Sequence, residues 1–315
     1  MRTLACILAA VVPVVAFAEA AQAQSTAYAT AFDELYSVNL STRQATFIGT
    51  AGNHGNQTFG YLKGLSFNPN RTLHAISDSL SQKPLVTLNT TTGAANFIAP
   101  LNVGSGTGQF NSHDFGATFT CSGQMWVSSA TTQRLWKVDA ARGLTEQVGS
   151  GTGAQVTGLV ARGETLYAAG GRGNNTFYRI NTTTGVAEAI GPFGIPDSTW
   201  ISSVSMSFDE NGALWAVINY VPPAPGNSAV ADWADLARIN RNTGAVTILG
   251  PITGPERLRG LGMAGFAAAP APCPSNPDGG PGNNISALPV RDPLALLVLG
   301  AVLAGFGVRR LRRQA

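Results

Sequence analysis

One eleven-residue segment occurs five times in this chain and limits what it can fold into. Each copy opens on Asn or Asp, ends ten positions later on Gly or Ala, and follows a short stretch in which apolar and other residues alternate. An Asn or Asp at such a position caps a turn by accepting backbone amides, and alternation indicates a strand. The segment therefore predicts one β-hairpin with a fixed loop length, repeated five times. The copies begin at Asn39, Asn89, Asp139, Asn181 and Asn240.

The fifth residue of the segment separates the first copy from the other four. Glycine occupies it in four copies, where it can adopt a positive φ at low cost, whereas the first copy has Arg43. The first turn is therefore predicted to be either different or strained.

Two more strand-like stretches precede each full hairpin, for example Gly64–Phe67 and Leu73–Ile76. Four antiparallel strands in about 40 to 60 residues make one propeller blade. The first hairpin lacks an inner strand, while a spare one, Arg259–Met263, follows the last hairpin and is predicted to close the ring against Tyr28–Gly49. The sequence thus predicts an all-β, five-bladed β-propeller of four-stranded antiparallel blades. Over residues 26–264 the repeats resemble those of many secreted bacterial propellers, a likeness that implies fold only.

The two ends of the chain have a different character from this body. Residues 1–23 combine Arg2, an apolar run and a small-residue cleavage site, as in a secretory signal peptide. The propeller is placed at residues 24–266 and a Pro/Gly-rich linker at 267–286. Residues 287–315 hold the apolar run Leu294–Val308, predicted as a single transmembrane helix, and a terminal arginine cluster that should stay cytoplasmic.

This C-terminal segment resembles the bacterial sorting domains of the PEP-CTERM and IPTL-CTERM type, which join a short Pro-containing motif, one hydrophobic helix and an Arg cluster. The resemblance implies an exported protein at the cell surface or envelope of a Gram-negative bacterium, tethered by the C-terminal helix or released after processing by an exosortase-like enzyme. A plain tail anchor of unrelated origin is the alternative.

Charge and motifs narrow the function classes. The formal net charge of +3 arises in the tail, so no nucleic-acid partner is predicted. Glycine strings such as Gly104–Gly108 lack the Lys-Ser/Thr ending of a phosphate loop, and no cofactor is predicted. Cys121 and Cys273 lack the paired spacing of a zinc site, and no metal is predicted.

Catalysis by carboxylates is also weakly supported. Propeller enzymes resembling arabinanases or gluconolactonases place several carboxylates at the starts of their inner strands. Here the aligned positions hold one, Asp114, too few for a paired acid–base mechanism or an oxygen-rich metal cage. We therefore predict no catalytic residues and a non-catalytic binding or scaffold module for an envelope polysaccharide or a surface protein. The alternative is a propeller-type hydrolase or lactonase that uses residues at the channel mouth.

The long loops between blades, and those between second and third strands, should share one face and carry the ligand site. The alternative for His113 and Asp114 is that they only hydrogen-bond loop backbone. Cys121 lies in a turn on the opposite face, where the tail should leave, so either a Cys121–Cys273 disulfide or two free thiols is expected. The predicted ligand-binding residues are Tyr61, His113, Asp114, Trp200, Tyr220, Trp233 and Arg257.

Overall fold

A computed structural model describes residues 26–107, 111–196, 200–220, 234–255, 262–269 and 273. The predicted signal peptide, most of the linker and the predicted anchor lie outside this part of the chain, as do Trp233 and Arg257. Within the described residues no helix is long and apolar enough to span a membrane.

The described chain forms five four-stranded antiparallel sheets and one small hairpin. The prediction of a five-bladed β-propeller is confirmed. Blade 1 contains β1 (Thr26–Ala31), β2 (Glu34–Asn39) and β3 (Ala45–Thr50), and the small hairpin β4 (Asn53–His54) and β5 (Gln57–Thr58) follows it. Blade 2 is β6 (Leu62–Phe67), β7 (Leu73–Ser77), β8 (Pro84–Leu88) and β9 (Ala95–Pro100).

The remaining blades repeat the same order from the axis outward. Blade 3 is β10 (Phe115–Phe119), β11 (Met125–Ser129), β12 (Arg134–Asp139) and β13 (Leu144–Gln147). Blade 4 is β14 (Val156–Arg162), β15 (Thr165–Gly170), β16 (Thr176–Ile180) and β17 (Ala187–Pro192). Blade 5 is β18 (Ile201–Phe208), β19 (Leu214–Tyr220), β20 (Ala234–Ile239) and β21 (Val246–Pro251), and β22 (Gly265–Ala268) ends the fold.

Strand β22 is the inner strand of blade 1 and pairs antiparallel with β1, which closes the ring. The closure agrees with the prediction, but the strand differs: of the expected stretch Arg259–Met263, the described residues Gly262 and Met263 are not in a strand. The position of the glycine that allows close packing at the axis explains this difference. A Cβ on Gly265 would contact Leu65 of the neighbouring inner strand at 2.9 Å, so only glycine permits the close approach at the axis. Several glycines lie in this stretch, and spacing alone selected the wrong one.

The core lies between blades. Each of the five buried apolar clusters joins two neighbouring sheets, for example Trp215 and Leu236 of blade 5 with Tyr36 and Val38 of blade 1. Both faces of a middle strand are therefore covered, as the fully buried β7 and β11 show. Apolar and polar residues alternate in the third strands because their outward positions are less buried. Lys137 and Arg179 are examples.

The repeated turn has the predicted chemistry in all five copies. The side-chain oxygen of the opening Asn or Asp accepts the amide two residues on, and the fifth residue donates its amide to the opening carbonyl at 2.8 Å. Arg43 keeps this turn with a φ of 63°, close to the value of 69° at Gly143. Of the two possibilities for the first turn, strain is therefore the one observed.

The closing residue of each segment packs against the turn of the next blade. A Cβ on Gly49 would overlap the carbonyl of Thr92, and one on Gly191 would overlap the carbonyl of Thr243. The last blade completes the circle, because Gly250 lies against the Arg43 side chain of blade 1. Both ends of the eleven-residue segment therefore serve one purpose, which is close packing of neighbouring blades.

We expect Gly191→Ala to lower the free energy of unfolding by about 2 kcal/mol or more, because its methyl group would push the next blade away. Gly194→Ala is the matched control: that glycine has open space around it, so only its positive φ opposes alanine, at a cost of about 1 kcal/mol. Denaturant titration of both variants compares the two losses. Equal losses would show that the inter-blade contact is not tight.

Candidate functional site

The inner strands of blades 2 to 5 all begin on one face of the ring, after the loop that arrives from the preceding blade. We call this the loop face, since it also carries the loops between second and third strands. The opposite face carries the turns between first and second strands and is called the turn face. Residues immediately before the inner strands, such as Tyr61 and Asp114, surround the axis on the loop face.

Asp78 is the centre of a buried network on the loop face. Its carboxylate accepts the Ser112 hydroxyl at 2.6 Å and the amides of His113 and Asp114 at 3.1 and 3.0 Å. It also pairs with Lys83 at 3.2 Å, and the side chains of both partners are almost completely buried. The Lys83 ammonium further donates to the Asp78 carbonyl at 2.6 Å. This carboxylate therefore attaches the loop before blade 3 to blade 2.

Asp114 forms the more accessible part of the same network. Lys63 and Arg172 both pair with its carboxylate, Arg172 at 2.6 Å. Burial raises the pKa of Asp114, but the charges and hydrogen bonds of Lys63 and Arg172 outweigh it, so the pKa lies below its ordinary value. The residue also has a positive φ of 50°, which is uncommon outside glycine. Asp114 is thus a stable carboxylate held in one place by two cations from different blades.

His113 is completely buried and points into the structure. Its ring nitrogens lie 3.1 Å from the Ser129 hydroxyl and 3.2 Å from the Gly104 carbonyl, and the ring stacks on Phe115. Burial lowers the pKa of His113, so the ring is neutral at pH 7. The alternative in which His113 bonds loop backbone describes this residue, whereas Asp114 uses its side chain for ion pairs instead.

Exposed aromatic rings accompany this network on the loop face. The Tyr61 ring is 44% exposed and meets the equally accessible Phe32 edge to face at 4.7 Å. Trp200 is 57% exposed and lies over Gly173, where it forms one wall of a depression with Asn174 and Ile195. Two of the predicted residues therefore present ring surface to solvent at this mouth.

Tyr220 is bonded within its own blade. Its hydroxyl donates to the Asp235 carboxylate at 3.0 Å across the blade 5 sheet, and burial together with that carboxylate raises its pKa. Its ring is half-buried against the core between blades 4 and 5. The structure thus brings Tyr61, Asp114 and Trp200 to the loop face with accessible surface, and uses His113 and Tyr220 in packing and hydrogen bonding.

Two cations of this network were missed from the sequence. Lys63 and Lys83 are the partners of Asp114 and Asp78, and neither belongs to a motif. One signal was present: Lys63 interrupts the apolar inner strand Leu62–Phe67, where a charge requires a partner. Among the described residues no three His, Cys, Asp or Glu side chains converge as a metal site would require.

No protein-family model matches the chain, and no curated protein does. Among solved structures, a Bacteroides thetaiotaomicron protein of unknown function is 13% identical with a TM-score of 0.44, over 61% of this chain and 53% of that one. A Bacteroides caccae protein of unknown function is 9% identical with a TM-score of 0.47, over 78% and 99%. A streptogramin B lyase is 16% identical with a TM-score of 0.41, over 74% and 67%.

This chain therefore spans about half the length of the first of these structures. Such low identities concern the fold alone, and a common fold hosts many functions.

Proposed function

We propose that the protein is a non-catalytic binding module whose loop face takes a polysaccharide of the cell envelope. The observation that carries the proposal is a contrast on this face between ionisable groups that are paired or buried and aromatic rings that are exposed. Around the axis, Asp78 and Asp114 are paired and His113 is buried, whereas the groups with exposed surface are three aromatic rings and one arginine. The exposed His54 belongs to the small hairpin β4–β5, where it stacks on Phe97.

The ionisable groups argue against hydrolysis at this mouth. A glycoside hydrolase needs one carboxyl group with a raised pKa that can protonate the leaving group. The pKa of Asp114 is shifted in the opposite direction, and Asp78 is enclosed by Lys83 and three hydrogen-bond donors. His113 lies too deep in the structure to reach a ligand. These groups fit a role in holding the mouth rigid.

The exposed groups suit a carbohydrate. Tyr61, Phe32 and Trp200 offer flat apolar surface that can stack on the C–H face of a sugar ring, and tyrosine adds a hydroxyl. Arg172 is 40% exposed although it pairs with Asp114, so its remaining donors can reach hydroxyl or carboxylate oxygens. Large rings left in water beside fixed polar groups are typical of a binding surface.

The expected result of Tyr61→Ala combined with Trp200→Ala is at least a tenfold loss of affinity for envelope polysaccharide, or about 1.4 kcal/mol or more. Glycan-array screening selects the probe, and calorimetry with that probe measures the affinity. Leu144→Ala is the matched control, because this side chain is 54% exposed on the outermost strand of blade 3, away from the mouth. Undiminished binding in the double variant, with an unchanged melting temperature, would move the site off the loop face. Binding of an envelope protein but of no glycan would show that the ligand is a protein and not a polysaccharide.

We also propose that the chain is exported by residues 1–23 and tethered by residues 287–315, and that an exosortase-like enzyme acts on the tail. The support is the signal-peptide pattern and the resemblance of the tail to sorting domains. Deletion of residues 288–315 should move the protein from the membrane fraction to the soluble exported fraction. Retention of the truncated chain in the membrane would place the tether elsewhere.

A further inference from the structure

A second concavity opens on the turn face, away from the proposed polysaccharide site. Its volume is about 410 Å³, within the range of small-molecule sites. Deeper along the axis, between residues such as Gly64, Gly158 and Phe266, only about 10 Å³ of space remains. We call the concavity the turn-face pocket.

The blades differ at one register position that lines the pocket. The last inner-strand residue before the turn is Phe67 in blade 2, Phe119 in blade 3 and Phe208 in blade 5, and each pairs with the first residue of the second strand. Each of these phenylalanines stands three residues after the Gly or Ser of its inner strand, and the equivalent residues are Ala161 in blade 4 and Ala268 in blade 1. Ala161 pairs with Leu166, one residue before its strand ends, and Ala268 pairs with Ala27. Two blades therefore have no ring at this register; Trp126 and Trp215 of the preceding blades pack in the clusters beside these alanines, and Ala161 and Ala268 both line the pocket.

Arg162 follows the alanine of blade 4 and gives the pocket a positive charge. Its guanidinium donates to the Gly212 carbonyl at 2.9 Å and lies over the Phe208 ring at 5.6 Å. In the part of the chain that the structure describes, no carboxylate pairs with it. Burial and the neighbouring Arg241 lower the pKa of Arg162, yet arginine remains charged at pH 7. A half-buried cation without a counter-charge favours an anionic ligand.

The other walls determine what accompanies the anion. Phe67, Phe119 and Phe208 supply ring surface, and Val160 and Met206 supply aliphatic surface. Glu210 also lines the pocket but is exposed, where water and salt screen its charge. We propose that the turn-face pocket binds a small aromatic carboxylate, whose ring lies against these apolar walls and whose carboxylate pairs with Arg162.

The test uses the purified full chain and two probes of the same shape, 2-naphthoate and the neutral 2-naphthamide. Calorimetry should show 2-naphthoate binding at least tenfold more tightly than 2-naphthamide. Arg162→Gln should make the two affinities equal, because glutamine keeps a donor but removes the charge. Trp200→Ala should leave both affinities unchanged, so a failure here is distinct from a failure of the polysaccharide proposal.

Ala161→Phe is the sharper variant. Ala161 lines the pocket, so a larger side chain there should reduce the space for a ligand. Trp126 packs in the cluster beside the same residue, so the melting temperature must be measured to verify that the variant is folded. Loss of 2-naphthoate binding in this variant is the expected result. Persistent binding in Ala161→Phe, no binding to the wild-type chain, or equal affinity for both probes in the wild-type chain would overturn the proposal.

Discussion

Asp78→Asn is expected to lower the free energy of unfolding by about 3 to 5 kcal/mol. The substitution keeps the shape of the side chain and removes its charge, which leaves the buried Lys83 ammonium without a counter-ion. Lys63, whose nitrogen lies 3.8 Å from the same carboxylate, loses part of its compensation too. The amides of His113 and Asp114 would then face a neutral, weaker acceptor.

The matched control is Asp139→Asn, which makes the same chemical change at an exposed turn. Four equivalent turns of this chain have Asn at that position, and the ion pair with Arg142 is exposed. Its expected effect is within about 0.5 kcal/mol of zero. Urea titration of the oxidised protein compares the two variants. A loss in Asp78→Asn no larger than that in Asp139→Asn would contradict the central role of Asp78.

A double variant separates the lost pair from the lost charge balance. Adding Lys83→Met to Asp78→Asn removes the stranded cation, so the double variant should be more stable than Asp78→Asn alone. If the two effects simply add, the pair is not coupled. The affinity of the loop face for polysaccharide should fall together with stability in the single variant, because the same carboxylate positions Asp114.

The second large effect concerns the disulfide. The structure joins Cys121 to Cys273 with a Cα–Cα distance of 5.6 Å, so of the two alternatives the bonded one is observed. The partners are 152 residues apart, and closing so long a loop restricts the unfolded chain strongly. We expect replacement of both cysteines by serine to lower the free energy of unfolding by about 2 to 5 kcal/mol.

The position of the bond indicates where the loss should appear. Closing strand β22 is only four residues long, and Cys273 lies just beyond its end at Ala268. Without the bond, the pairing of β22 with β1 should open more often, and the amides of Thr26–Ala31 should exchange faster with solvent. The β14–β15 pair, joined by its own turn, should exchange as before. Hydrogen exchange by mass spectrometry distinguishes the two regions.

Reduction supplies an independent check. A reducing agent should lower the melting temperature of the wild-type chain and leave that of the double serine variant unchanged. Uniformly faster exchange in all blades would mean that the bond stabilises the ring as a whole and not its closure. An unchanged melting temperature in the double serine variant would contradict the prediction altogether.

The eleven-residue segment was enough to predict the blade count and the third and fourth strands of every blade. Local turn chemistry determines these features, because an Asn or Asp cap and a positive φ at the fifth residue need no distant partner. Ring closure was predictable too, because the first hairpin lacks an inner strand and a spare strand follows the last hairpin. Which stretch closes the ring was not predictable, because the choice of Gly265 depends on Leu65 of another blade.

The predicted site also combines features that the sequence reveals with features that only the fold reveals. Exposed rings at Tyr61 and Trp200 follow from their place in interblade loops, which the segment spacing locates. The pairing of Asp114 with Lys63 and Arg172 joins residues from separate blades, so only the tertiary structure reveals it. Asp78 and Lys83 lie in one loop of blade 2, but the bonds from Asp78 to the loop before blade 3 likewise depend on the fold. The turn-face pocket also required the fold, because the significance of Ala161 appears only once its strand register is compared with that of Phe67, Phe119 and Phe208. Neighbouring residues determine the geometry of turns and hairpins, whereas charge compensation and empty space depend on which residues the closed ring brings together.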